Sequence, residues 1–163
     1  LLNQAFTGNT LQQEIEKSSF PIVHIATHGQ FGSKPESTFV VTWSERLSID
    51  NLESILETGF PNREVAIELL VLSACETASG DPRAPLGLAG IAVRAGARST
   101  LATLWPVNDA VTAEFMGRVY AELINNNATK AEALRQAQLW LLQQPRYSHP
   151  LYWAPYLLVG NWQ

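Results

Sequence analysis

The sequence predicts an α/β fold in which a mostly parallel sheet is covered by helices on both faces. Three observations carry this expectation. Short apolar, β-branched runs alternate along the chain with longer segments of helical spacing. Several runs, "ELLVLSAC" above all, are apolar without strict alternation, as strands buried on both faces are. The 163 residues, 46% of them hydrophobic, suffice for a buried core, and the expectation is one domain over residues 1–163.

The elements follow in order. "NTLQQEIEKSS" has helical spacing at Leu11 and Ile15, with Thr10 as the expected cap. "FPIVHIATHG", residues 20–29, is apolar and β-branched and ends in glycine, a buried strand. "STFVVTWSE" is a second strand and one half of a hairpin. "SIDNLESILETG" is a helix with a boundary signal at each end, Ser48 as cap and Gly59 as stop. "ELLVLSAC", residues 68–75, is a third strand, and "SGDPRAP" after it is the clearest irregular loop. "PLGLAGIAVRAGAR" is expected as a helix whose small residues let it pack close to a sheet. "STLATLWPV" is a strand stopped by Pro106. "NDAVTAEFMGRVYAELINN" and "ATKAEALRQAQLWLLQQ" are amphipathic helices, the first expected to be capped by Asp109. "YWAPYLLVG", residues 152–160, is the last strand.

Composition narrows the function. The formal charge is −4 with no long run of one sign, which argues against nucleic acid or a membrane surface as partner. No apolar run reaches the ~18 residues that span a bilayer, and no signal peptide opens the chain. One cysteine forms no internal disulfide, which fits a cytoplasmic location. The chain opens on "LLNQAF" without Met and is expected to be a piece of a longer protein. No cofactor is expected. His24, His28 and a single Cys give no close cluster of metal ligands, and "GLAGIAVRAGAR" lacks the lysine and glycine spacing of a phosphate loop.

In open α/β sheets, ligands bind beyond the carboxyl ends of the strands. Two expected strands carry reactive residues there, His28 before Gly29 and Cys75 after Ala74. If the strands are parallel neighbours, ~4.8 Å apart, imidazole and thiol come within reach of each other. The imidazole then takes the thiol proton and the thiolate attacks a carbonyl. Gly29 leaves room for a carbonyl oxygen to approach its N–H, which with the N–H of Cys75 forms an oxyanion hole. The opposing reading is a buried, inert cysteine that fills a strand end. His24 is the rival base, but its mid-strand position points it into a sheet–helix layer as a structural histidine. His149 is a surface or packing residue.

At these residues the sequence resembles the CHAT domain, the caspase-like peptidase domain often attached to tetratricopeptide repeats and related to separases. Five blocks in order carry the resemblance: "VHIATHGQF", "LLVLSACETASGD", "GLAGIAVRAGARSTLATLWPVND", "TKAEALRQAQLWLL" and "HPLYWAPYLLVGNW". It implies a caspase-like three-layer fold and a cysteine endopeptidase with His28 and Cys75 as its dyad. Gly29 matches the glycine whose amide serves the oxyanion hole in caspase-like enzymes. It also implies a protein or peptide substrate, and gating by a repeat region through the loop at 76–85.

In related enzymes the residue two before the cysteine lines the pocket for the side chain preceding the cut. Here it is Ser73, small and uncharged, which predicts an apolar or weakly selective pocket. Glu76 and Trp105 are further substrate-binding candidates. Their plain readings are a turn residue for Glu76 and ordinary packing for Trp105, while Asp81 reads as a helix cap and Arg94 and Arg98 as partners of carboxylates. Two other functions fit the residues, a catalytically silent interaction module with this fold and a small-molecule acyl transferase or hydrolase.

Overall fold

The computed structural model describes residues 1–31, 35–58, 66–73, 76–77 and 95–163. Its main sheet runs β1 (Ile22–Ala26), β5 (Leu69–Ser73), β7 (Ser99–Thr103), β8 (Tyr156–Gly160) from edge to edge. The first three strands are parallel and β8 is antiparallel to β7. A smaller sheet has the order β4 (Arg46–Ser48), β3 (Phe39–Val41), β2 (Gly29–Phe31), β6 (Glu76–Thr77). Here β3 is antiparallel to both neighbours, and β2 is parallel to β6. The helices are α1 (Gly8–Lys17), α2 (Ile49–Thr58), α3 (Asp109–Asn125), α4 (Lys130–Gln143) and the short α5 (Pro150–Trp153).

The central strand β5 divides its side chains between two cores. Leu70 and Leu72 join Leu11 and Ile15 of α1 and Leu52, Ile55 and Leu56 of α2. Leu69 and Val71 join Val111, Phe115, Met116 and Val119 of α3 and Ala133, Ala137 and Leu141 of α4. Side chains alternate across a strand, so a strand sandwiched between two helix layers must be apolar on both faces. That is the physical origin of the unbroken run at residues 69–72. The sheet with helices on both sides is the caspase-like α/β architecture expected from the sequence.

Several boundaries differ from expectation for local reasons. Thr7, not Thr10, caps α1. Its hydroxyl accepts from the Thr10 N–H at 3.2 Å, and the Thr10 hydroxyl accepts from the Thr7 N–H at 3.0 Å. Thr10 is therefore the answering half of a capping box. Asn108 caps α3 by accepting from Ala110 N–H at 2.9 Å, and Asp109 is the first helical residue instead. Ser48 does cap α2, at 3.3 Å from Asn51 N–H.

The run at 152–160 is not strand throughout. Pro150 opens the short helix α5, capped by His149 Nδ1 at 3.2 Å from Leu151 N–H, and pairing starts only at Tyr156, after Pro155. The run at 20–29 pauses at Thr27 and His28 before resuming as β2. The hairpin expected from "STFVVTWSE" is present: β3 turns through residues 42–45, with Thr42 N–H bonded to Glu45 O at 2.8 Å, into β4. The expected stop at Gly59, the cap Asp81, the loop 79–85 and the expected helix up to Arg94 lie outside the described residues. Its tail is a turn, with Gly96 at φ 66°, and a bridge from Ala97 to Ile67. Arg98 meets Glu68 at 3.0 Å, the carboxylate role expected of it.

Candidate active site

Strand β1 pairs with β5 in register up to Ala26 opposite Ser73. Pairing resumes in the small sheet with Gln30 opposite Glu76. Between these pairs the first chain has three residues, Thr27, His28 and Gly29, and the second has two, Ala74 and Cys75. The surplus residue on the histidine side works as a bulge does, re-aiming side chains between two paired stretches. Ala74 and Cys75 lie outside the described residues. Glu76 is a strand residue rather than the start of a turn.

The histidine segment is pinned from the side by β3. Thr27 Oγ1 donates to Val41 O at 2.6 Å, and Val41 N–H donates to His28 O at 2.7 Å. These bonds fix the backbone and leave the imidazole unused: His28 is exposed and bonds no other described side chain. Gly29 pairs with Val40 in β2. A cleft of about 440 Å³ opens at this point, lined by His28, Gly29, Ser73, Pro106, Asp109 and Thr112 among others. Among its described lining residues there is no Lys or Arg, and Asp109 is the one carboxylate.

Ser73 stands on the cleft wall and is tied to His24. In register His24 opposes Val71, so Ser73 is its diagonal neighbour on the same face. His24 Nε2 lies 3.0 Å from Ser73 Oγ, and Nδ1 lies 2.8 Å from the hydroxyl of Tyr120 on α3. Both ring nitrogens are engaged. Burial of the ring atoms holds His24 below the usual imidazole value although the residue as a whole keeps solvent contact, and it pushes the Tyr120 phenol up to about 12. His24 is thus a fixed, neutral ring at neutral pH, whereas the His28 ring bonds no other described side chain.

Trp105 turns its indole N–H to Leu151 O at 3.0 Å, toward α5, while its neighbours Pro106 and Val107 form the cleft wall. His149, as the cap of α5, has its own task. Tyr120, Asp109 and Thr112 were not singled out as cleft residues from sequence. Tyr120 sits 96 positions from His24, and no spacing rule links a helix residue to a strand that far away. Among the described residues no group of three or more His, Cys, Asp or Glu is placed to hold a metal.

The sequence model of the CHAT domain matches residues 1–161. The chain belongs to the CHAT domain family. Two relatives align with part of this domain. One is tetratricopeptide repeat protein 28 of Mus musculus, 31% identical over 102 residues, and the other is its Homo sapiens counterpart, 29% identical over 100 residues. Each alignment covers 60% of this chain and only 4% of the relative, so this CHAT domain corresponds to a small part of those proteins. No helix among its described residues is long and apolar enough to cross a membrane.

Proposed function

We propose that this CHAT domain is a cysteine endopeptidase with His28 as general base and Cys75 as nucleophile. The observation that carries the reading is the double register: the described flanks of Cys75, Ser73 and Glu76, pair with the described flanks of His28, Ala26 and Gln30. An imidazole that bonds no other described side chain, at a cleft of about 440 Å³, supports it.

The chemistry follows from those roles. His28 removes the thiol proton, and the sulfur attacks the carbonyl carbon of the scissile peptide. The oxygen takes the negative charge and is met by the N–H groups of Gly29 and Cys75. Collapse breaks the C–N bond, and the imidazolium gives its proton to the departing amine. Water, deprotonated by the same imidazole, then releases the acyl group. Ser73 and Glu76 flank the substrate path. The relatives' name supports a tetratricopeptide-repeat region in the parent chain, and that region is the gate in this reading.

The test is alkylation of Cys75 by iodoacetamide in the full-length protein over a range of pH. A dyad thiolate reacts well below the ordinary thiol pKa of ~8.5. His28→Ala is expected to return the rate to that of an ordinary thiol, and His24→Ala to change it far less. A Cys75 that alkylates at the ordinary rate whether or not His28 is present overturns the dyad and leaves the fold as an interaction module.

A further inference from the structure

The Ser73–His24–Tyr120 chain is not needed by the dyad, yet it ends on the cleft beside His28. Its hydrogens are determined by the chemistry of its members. A neutral imidazole has one N–H and one lone pair. The phenol of Tyr120 keeps its hydrogen throughout the physiological range and is a stronger donor than acceptor. Tyr120 therefore donates to Nδ1 across 2.8 Å, which puts the ring hydrogen on Nε2. Nε2–H then donates to Ser73 Oγ across 3.0 Å. Ser73 is half-buried on the cleft wall, and its own hydrogen has no other partner among the described residues.

We propose that Tyr120 and His24 are positioning residues that hold Ser73 with its hydroxyl hydrogen turned into the cleft, so that the pocket beside His28 selects a neutral, amide-bearing side chain, glutamine or asparagine, at the residue preceding the cut. This rests on the peptidase reading and sharpens it: the wall at Ser73 is uncharged but selective. The amide oxygen accepts from Ser73. The amide nitrogen faces a cleft whose described polar side chains include acceptors for it, the Asp109 carboxylate and the Thr112 hydroxyl among them. An acidic side chain meets the Asp109 carboxylate and is repelled. A basic one carries no acceptor for the Ser73 hydrogen, and solvent at the exposed Asp109 screens its attraction as it screens the repulsion of an acidic one. An aliphatic one leaves the Ser73 hydrogen unpaired.

The test uses peptidyl ketone electrophiles that differ only in the residue before the warhead: glutamine, norleucine or arginine. Labelling of Cys75 in the full-length protein is divided by the iodoacetamide rate of the same variant, which cancels changes in the thiol itself. The expected result is a preference for glutamine of roughly three- to tenfold, one half-exposed hydrogen bond. Ser73→Ala erases it and Tyr120→Phe reduces it, because the ring hydrogen is then free to move to Nδ1. The 15N shifts of His24 are read in the same samples and are expected to show Nε2 protonated and Nδ1 bare at neutral pH. Preference for arginine, or a glutamine preference that survives Ser73→Ala, overturns the pocket. A proton on Nδ1 overturns the relay. If Cys75 alkylates but takes none of the peptides, the peptidase reading and its pocket fall together, while the His24 tautomer still decides the relay.

Discussion

His24 and His28 lie four positions apart and are chemically opposite. One is held by two hydroxyls and kept neutral by burial, and the other lines a cleft and bonds no other described side chain. The depressed pKa of His24 has a consequence for stability. The unfolded chain protonates this ring at its ordinary value of 6.5, and the folded chain only at lower pH. Between the two the unfolded state binds more protons, so stability falls as pH drops below 6.5 through that window. A proton NMR titration is expected to place the His24 midpoint below 6.5, and Tyr120→Phe is expected to move it. The proposed pair, His28 and Cys75, was legible as a candidate in the sequence because "ATHG" and "SAC" each close an apolar run. The hydroxyl chain beneath it was not, since Ser73 and Tyr120 lie 49 and 96 positions from His24 and meet it only after the sheet and helix have packed.

Helix ends show where local reading succeeds and where it fails. Ser48 and the hairpin at β3 were legible, because a cap and a turn involve residues that are near in sequence. The start of α3 was placed one residue late, since Asn108 and Asp109 are both good caps and only the backbone path chooses between them. The difference is measurable. Asn108→Ala is expected to lower stability by about 1 kcal/mol, through loss of the bond to Ala110 N–H. Asp109→Ala is expected to cost less, about 0.3–1 kcal/mol, since its carboxylate only complements the positive end of the helix. Urea unfolding with an unchanged m-value separates the two. Proline and histidine together turned residues 150–153 into a helical turn that a run of apolar residues had disguised as strand.

The whole molecule is two cores sharing one sheet. Leu70 is fully buried on the side of α1 and α2, and Phe115 on the side of α3 and α4. Leu70→Ala is expected to cost about 2–5 kcal/mol and Phe115→Ala about 3–5. Because β5 stands between them, the double variant is expected to be additive to within about 0.5 kcal/mol. A large deviation from additivity in denaturant titrations would mean that the two faces are one cooperative core. The alternation of strands and helices made this layering legible. Its closure was not: the sheet ends where Gly160, at φ 103°, passes the backbone of Arg98 so closely that a Cβ would come within 2.4 Å of the Arg98 carbonyl oxygen. Gly160→Ala is expected to lower the melting temperature although the site is exposed, through a backbone conformation that L-residues rarely adopt.

The bulge between the sheets also has a mechanical meaning. The chain leaves the large sheet after Ala26 and after Ser73, and enters the small one at Gly29 and at Glu76. These crossings behave as two pins of one knee joint. Because β2 is bonded to β6 just as β1 is bonded to β5, a tug on the small sheet carries both pins together. Force applied there reaches both chains through their paired flanks, Ala26 with Ser73 on one side and Gln30 with Glu76 on the other. A neighbour that grips the β3–β4 hairpin thus has a lever on the histidine segment, which Val41 of β3 holds by two hydrogen bonds.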